Sequence, residues 1–287
     1  MAEQKSLVIG QTRLRVFEIC RRRFQLHYLR KLYWPAEPLP DKTQAAITYG
    51  QQFHRVLERH FLGLAVDEAS LTSSLLRQWW LAFQNSGLKF PNGRFLPEHK
   101  LSLIVPSPNP AVPSFLLVGR FDLLVVGEDE ENGPFVHVYD WKTSRPQSVS
   151  ELQGLWQTRL YLALLAEGGG VLWPNGRSLK PEAITMTYWF TQEPDKPRII
   201  RYSQTEHARN WADIQAVLSE IRTEFLEGEW PLTDDRTICR QCMFQVYCGR
   251  QTAETAVFPA TEAMLEEETE DELWASLTDT ELEPDIP

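Results

Sequence analysis

Four cysteines place the strongest constraint on how this chain can fold. Cys239, Cys242 and Cys248 lie within ten residues in a C-x2-C-x5-C pattern, and Cys20 lies 219 residues before the first of them. Short spacings of this kind are typical of metal or cluster ligands, because a tight turn lets neighbouring thiolates converge on one centre. If all four thiolates meet, the centre joins the two ends of the fold.

The N-terminal residues of the sequence do not resemble an export signal. The N-terminus lacks a basic segment followed by an apolar stretch and a small-residue cleavage site, so we expect a cytoplasmic protein. Structural disulfides are rare in that compartment, which favours a metal centre. The longest uncharged run, residues 101–119, contains four prolines. It cannot form a membrane-spanning helix, and no membrane partner is expected.

The charge of the sequence is unevenly distributed between a nearly neutral body and an acidic C-terminal tail. The net charge is −10, but residues 251–287 hold 12 acidic residues and no lysine or arginine, which leaves 27 acidic and 29 basic residues in positions 1–250. The nearly neutral body can carry local basic patches. We therefore predict one domain over residues 1–250, with the cysteine centre included, and an acidic, disordered tail over residues 251–287.

Hydrophobic periodicity and turn residues predict the order of the elements. The predicted helices are 13–30, 44–62, 70–85, 150–166 and 205–227, and the predicted strands are 97–105, 115–126, 135–141, 183–190 and 197–202. Turn chemistry at 127–133 predicts a hairpin, and prolines near 194–197 predict a second one. This order indicates an α/β domain with a mixed central sheet flanked by helices.

Two carboxylates and a lysine come together in the predicted hairpin. Asp140 and Lys142 end one strand as D-W-K and point to the same face, and the hairpin brings Asp122 near Asp140. Asp122 lies in an otherwise apolar strand, where an unpaired carboxylate is costly. Carboxylates suit Mg²⁺ or Mn²⁺, and a lysine can orient water or stabilise negative charge. The simpler alternative is a strand-end ion pair between Asp140 and Lys142.

Taken in order, the motifs resemble the PD-(D/E)XK nuclease superfamily. The resemblance is to its RecB-like branch with an iron–sulfur cluster, which includes the AddB nuclease module and the CRISPR-adaptation nucleases. It spans about residues 7–250, and the acidic tail has no counterpart. The matching pieces are YGQQFHRVLE (49–58), PEHKLSL (97–103), GRFDLLVV (119–126), VYDWKTS (138–144), QTRLY (157–161) and the one-plus-three cysteine frame.

The resemblance implies a restriction-endonuclease-like core and a role for each matched residue. Lys142 would assist the attacking water, and Gln157 and Tyr161 would position the lysine or contact DNA; with Asp122 and Asp140 they form the predicted catalytic set. The implied ligands of Mg²⁺ or Mn²⁺ are His54, Glu98, Asp122, Asp140 and the carbonyl of Trp141. The implied ligands of a 4Fe–4S cluster are Cys20, Cys239, Cys242 and Cys248, with structural zinc as the alternative.

The implied activity is metal-dependent hydrolysis of phosphodiester bonds in DNA, with an exonuclease favoured over an endonuclease. The implied substrate has single-stranded character, and the implied setting is DNA repair, recombination or CRISPR adaptation, with protein partners in such a complex. The alternative is a catalytically silent DNA-binding or scaffolding module on the same fold. Oligomeric state, polarity and strand preference are left open.

Overall fold

A computed structural model describes residues 6–32, 40–71, 73–131, 133–240 and 242–250. The described residues fall into two compact units. We call the first the cysteine unit; it comprises positions up to 44, positions 105–116 and positions from 215 onward. We call the second the sheet unit; it comprises positions 45–104 and 117–214. The acidic tail lies outside the described residues, so its disorder stays a prediction, as does the single domain over residues 1–250.

The strands are β1 (Leu7–Ile9), β2 (Arg94–Val105), β3 (Phe115–Asp129), β4 (Gly133–Lys142), β5 (Ile184–Phe190) and β6 (Arg198–Arg201). The α-helices are α1 (Gln11–Ile19), α2 (Arg21–Phe24), α3 (Asp41–Phe61), α4 (Ser74–Gln84), α5 (Val149–Gly154), α6 (Trp156–Gly168), α7 (Gln204–Glu227), α8 (Arg236–Cys239) and α9 (Gln245–Cys248). A π-helix covers Gln25–Leu29, and short 3-10 turns cover Glu68–Ser70, Gly169–Leu172 and Pro181–Ala183. Among the described helices, each is too short or too polar to cross a membrane.

The sheet unit is built on a mixed sheet, as predicted. β3, β4, β5 and β6 are neighbours in that order, and β2 lies beside β3. β3 pairs antiparallel with β4, and β5 pairs antiparallel with β6, which confirms both predicted hairpins. β4 and β5 are parallel over 136–142 and 184–190. A parallel pair cannot be joined by a hairpin, and α5 and α6 lie in its connection.

The predicted helix over residues 13–30 is wrong in one respect. It breaks at Cys20, whose backbone is extended (φ −161°, ψ 107°), and the segment ends as a π-helix. The break lets the Cys20 thiol accept a hydrogen bond from the backbone N–H of Arg23 at 3.4 Å. Apolar spacing carried no sign of this break, because Leu14, Phe17 and Phe24 are all buried on either side of it.

The predicted helix over residues 150–166 is also two helices. Leu155 adopts an extended conformation (φ −69°, ψ 138°) between α5 and α6. The entry to α5 is fixed by a capping box, in which Ser148 and Glu151 satisfy each other's backbone N–H groups. Because α6 starts afresh at Trp156, Gln157 lies in the first turn of that helix.

One face of β4 packs against an aromatic core formed with α3 and α4. Trp141 lies 5.8 Å from Phe61 in a stacked arrangement and 5.5 Å from Phe83 in an edge-on one, and Phe53 stacks on Trp189 at 6.0 Å. Buried aromatic rings of this size dominate core energetics. Because side chains alternate along a strand, this packing directs Asp140 and Lys142 to the opposite face.

The cysteine unit has a smaller apolar centre beside its thiols. Leu26, Met243 and Phe244 are buried together, and Cys242 and Cys248 pack against them. Arg21 forms ion pairs at 2.6 Å with both Glu220 and Glu224 of α7. The thiols of Cys242 and Cys248 therefore lie against a buried apolar cluster.

Candidate active site and cysteine centre

The ends of β3 and β4 position two carboxylates. The pairing of these strands runs to Leu123 opposite Tyr139, so Asp122 and Asp140 are the next residues on the two strands. The Trp141 backbone N–H donates a 2.8 Å hydrogen bond to Asp122 Oδ2. The hairpin therefore ties Asp122 to the strand that carries Asp140.

Asp140, Lys142 and Gln157 form a closed polar ring. Lys142 Nζ lies 2.7 Å from Asp140 Oδ1 and donates to Gln157 Oε1 at 2.9 Å. Gln157 Nε2 in turn donates to Asp140 Oδ2 at 2.7 Å. The Asp140 side chain is only 4% exposed. Gln157 thus fixes the lysine and the carboxylate relative to each other.

A buried tyrosine flanks the lysine of this ring. Lys142 Nζ lies 5.5 Å from the centre of the Tyr188 ring, within the range of a cation–π contact. The Tyr188 hydroxyl is 2.7 Å from Thr158 Oγ1. Burial raises the pKa of Tyr188 well above its usual range, so the ring presents a neutral phenol to the ammonium.

His54, Glu98 and Asp122 bring three ligand atoms within 4.8 Å of one another. His54 Nδ1 lies 3.3 Å from Asp122 Oδ1. Glu98 has a positive φ of 50°, a strained conformation for a residue other than glycine. Oxygen ligands with one imidazole suit a hard divalent cation, so these residues fit Mg²⁺ or Mn²⁺.

The pKa values of the site reflect crowded negative charge. Burial, helped by the charge of Asp122, raises the pKa of Glu98 to about 7. Burial also raises the pKa of Asp140 to about 6, although the Lys142 ammonium opposes it. A bound cation would relieve both effects, which is the electrostatic pattern expected of a functional site.

His54 and Asp122 shift in the directions of an ion pair. Burial lowers the pKa of His54, but the charge and hydrogen bond of Asp122 outweigh it and leave that pKa raised. Burial likewise raises the pKa of Asp122, but His54 and Lys142 bring it below its usual value. The two side chains therefore stabilise each other's charged forms.

Asp140 Oδ1 is buried with the Lys142 ammonium 2.7 Å away, and Asp140 Oδ2 accepts a hydrogen bond from Gln157. Each carboxylate oxygen has two lone pairs, so Asp140 can also bind a cation. Its role as a cation ligand stays a prediction.

Tyr161 lies in the packing of α6 against β3. Its side chain is 7% exposed, and its ring centre is 4.6 Å from that of Phe121. A Cβ atom at Gly119 would lie 3.2 Å from the Tyr161 ring, so the glycine allows the close approach. The predicted catalytic role of Tyr161 stays a prediction, as does the Trp141 carbonyl as a ligand.

Sequence reasoning missed two side chains that border the site. Arg120 Nε lies 3.3 Å from Glu98 Oε2. Its position two residues before Asp122 on a predicted strand was an available signal, since such residues share a face. Tyr188 had no comparable signal, because it depends on the parallel pairing that sets it opposite Asp140.

All four cysteine thiols line one cavity of the cysteine unit, together with Arg23 and Arg250. Arg250 Nη1 donates to Cys239 Sγ at 3.2 Å, and the Arg23 backbone N–H donates to Cys20 Sγ. The Phe244 backbone N–H hydrogen-bonds the thiol of Cys242, whose pKa burial nevertheless raises. The predicted one-plus-three frame is thus brought together, with N–H donors aimed at three of its sulfurs.

Several solved structures are similar to this chain, and two of them match over most of their length. A crystal structure of a protein named SSO0001 is 14% identical, covers 87% of this chain and 90% of its own, and has a TM-score of 0.36. A crystal structure described as a "putative exonuclease" from Eubacterium rectale is 10% identical, covers 92% and 94%, and has a TM-score of 0.47. No curated protein shows significant similarity.

A match to a protein-family model assigns the chain to a family, which the two solved structures are too dissimilar to do. The model of the PD-(D/E)XK nuclease superfamily matches residues 9–249, which include the D-W-K strand, the three-ligand group and all four cysteines. The matched span is most of the chain. With the mixed sheet and the Asp140–Lys142 pair at its strand end, this match places the protein in the PD-(D/E)XK nuclease superfamily.

Proposed function

We propose that this protein is a metal-dependent deoxyribonuclease that hydrolyses phosphodiester bonds. The observation that carries the proposal is the closed ring of Asp140, Lys142 and Gln157 beside the three-ligand group of His54, Glu98 and Asp122. Carboxylates that can hold a cation, next to a lysine held in a fixed position, suit the hydrolysis of a phosphate diester.

The proposed cation ligands are His54, Glu98, Asp122 and Asp140, with the Trp141 carbonyl completing the set. When bound, Mg²⁺ or Mn²⁺ supplies Lewis-acid stabilisation of charge on phosphate oxygens and lowers the pKa of water. His54 must be neutral to bind it, so the proton that it shares with Asp122 must leave. Asp122 keeps its orientation throughout, because the Trp141 N–H holds its second oxygen.

Lys142 is the proposed group that faces the attacking water and the reacting phosphate. Its ammonium can donate a hydrogen bond to the water, which orients a lone pair toward phosphorus, or to the phosphate oxygen on which negative charge develops. Gln157 and Asp140 restrict its movement through contacts of 2.9 and 2.7 Å. Their role is to hold the lysine in one position before the substrate arrives, since preorganised donors give the largest electrostatic effect.

The cysteine centre is proposed to hold a 4Fe–4S cluster that stabilises the cysteine unit. The support is the set of four thiols around one cavity, together with the one-plus-three cysteine spacing of the sequence. Four thiolates around an iron–sulfur core form an anion, which agrees with the nearby Arg23 and Arg250. Structural zinc is the outcome that metal analysis must exclude.

The proposal also covers the DNA substrate, the mode of cleavage and the cellular process. We propose DNA with single-stranded character, exonucleolytic attack, and a place in DNA repair, recombination or CRISPR adaptation together with protein partners in the cytoplasm. These points rest on the family and on the sequence motifs. Linear and circular substrates separate exonuclease from endonuclease activity, and single- and double-stranded forms test the strand preference.

The experiment is an anaerobic purification followed by two measurements on one sample. Iron, sulfide and zinc analysis with visible absorbance tests the cluster, and we expect about four irons per chain. Cleavage of end-labelled DNA with Mg²⁺, Mn²⁺ or EDTA tests the nuclease. DNA binding without cleavage on any DNA form or with either metal would instead identify a catalytically silent module.

A further inference from the structure

Arg120 borders the candidate cation site but has no part in the scheme above. It lies on β3 two residues before Asp122, so the two side chains share a face of the strand. Its Nε lies 3.3 Å from Glu98 Oε2, and its side chain is 39% exposed. A solvent-accessible guanidinium therefore lies directly beside a proposed cation ligand.

The contact with Glu98 uses only some of the N–H donors of the Arg120 guanidinium. A guanidinium carries five N–H donors, and a carboxylate accepts at most two of them side by side. Within the described residues, Glu98 is the one acceptor that the structure pairs with Arg120. At least three donors thus remain for a ligand that reaches the site from solvent.

The charge of the site indicates what that ligand is. Four carboxylates act on this site, because Glu58 also adds to the negative charge around Glu98, and Arg120 and Lys142 bring two positive charges. A divalent cation with a neutral His54 brings the sum to zero, and the partly exposed Arg120 guanidinium then lies beside the bound cation. A phosphodiester is the class of anion that a guanidinium recognises through two oxygens.

We propose that Arg120 binds a phosphate of the substrate strand next to the bond that is cleaved. This inference rests on the proposed nuclease function and assigns a substrate contact within it. A guanidinium matches two phosphate oxygens with parallel hydrogen bonds, which suits Arg120 better than a lysine for fixing the strand. Glu98 holds the guanidinium in place while its remaining donors meet the phosphate.

The test is DNA binding measured by fluorescence anisotropy over a range of salt concentrations. The probe is a labelled single-stranded oligonucleotide in saturating Ca²⁺, with its integrity checked on a gel. Arg120→Gln should weaken binding about tenfold, the size of one lost charged hydrogen-bond pair. It should also make the plot of log affinity against log salt shallower by about 0.7, the loss of one phosphate contact.

The matched control is Arg177→Gln. Arg177 pairs with Glu128 at the same 3.3 Å, also in the sheet unit, and both side chains are about half exposed. This control removes the same charge and should leave the slope unchanged. Arg120→Lys should keep the slope and lose part of the affinity, because the charge stays and the paired geometry is lost.

Two failures are distinguishable. If wild-type protein cuts DNA but Arg120→Gln keeps the wild-type slope and only needs more Mg²⁺ for cleavage, Arg120 merely supports Glu98, and the phosphate contact is overturned. If wild-type protein neither binds nor cuts DNA, the nuclease proposal fails and the inference fails with it.

Discussion

The candidate active site and the cysteine centre are built in opposite ways. Asp122, Asp140 and Lys142 lie within 21 positions of the sequence and on two paired strands, and their polar contacts are already made by protein groups. The four thiols come from positions 20 and 239–248, in or next to short helices, and they line one cavity. Paired strands hold the first site in shape, whereas the second joins residues that are far apart in the sequence.

We therefore expect the loss of a metal to have different consequences in the two regions. Removing a cation from the carboxylates should stop chemistry and leave the fold intact. Removing the proposed centre from the thiols should loosen the cysteine unit, because the free energy of binding a metal centre adds to the free energy of folding.

The largest effect should follow from Lys142→Met. This variant keeps most of the aliphatic side chain and removes the ammonium, so we expect cleavage to fall by about 10²–10⁴-fold. The fold should persist, but the thermal midpoint should fall, because the buried Asp140 carboxylate loses its ion-pair partner. Single-turnover cleavage rates and circular dichroism measure the two quantities. Wild-type rates in Lys142→Met would remove the lysine from the mechanism.

Gln157→Ala should lower the cleavage rate less than Lys142→Met does, because the lysine remains but is no longer held in position.

The next effect should follow from Cys242→Ser. A hydroxyl is a poor ligand for a cluster that prefers thiolates, so iron content should fall to background. Limited proteolysis should then cut within the cysteine unit much faster than in wild type. Lys142→Met is the matched control and should keep both iron and protease resistance. Equal resistance in Cys242→Ser and wild type would show that the apolar contacts alone hold this unit.

A smaller effect should follow from Arg250→Gln. This change removes the charged donor to Cys239 Sγ while the thiol itself stays. Groups that hydrogen-bond metal ligands typically contribute about 10–100-fold in metal affinity. We expect faster loss of visible absorbance in the presence of a chelator, measured against Arg240→Gln, which changes a charge on the same segment. Identical rates in the two variants would leave Arg250 with no part in retaining the centre.

The smallest effect should be seen with Glu98→Gln in EDTA. The pKa of Glu98 is raised from 4.5 to about 7, so between these values the folded protein holds a proton that the unfolded chain has released. The free energy of unfolding of wild type relative to Glu98→Gln should therefore fall as the pH rises from 4.5 to 7. Urea unfolding across that range measures it. A difference that does not change with pH would contradict the raised pKa.

The sequence predicts much of the active site because strands translate residue order directly into geometry. A two-residue spacing sets Asp140 and Lys142 on one face, and a turn between two apolar runs sets Asp122 beside them. The structure also places Gln157 against this pair, in agreement with the family motif. The catalytic and ligand roles of these residues remain predictions that the variants above test.

Other features could not be predicted because they depend on tertiary contacts. The breaks at Cys20 and Leu155 interrupt runs whose apolar spacing fits a continuous helix. The contact of Lys142 with Tyr188 depends on a parallel pairing between strands more than forty positions apart.

The most direct test of the central claim is a Mg²⁺ and Mn²⁺ titration of DNA cleavage by wild type and Asp140→Asn. Asp140→Asn keeps the size of the side chain and removes the charge that should bind the cation. The account predicts metal-dependent cleavage by wild type, none in EDTA, and loss of cleavage in Asp140→Asn with iron content and folding unchanged. Cleavage by Asp140→Asn at the wild-type rate, or cleavage in EDTA, would contradict it.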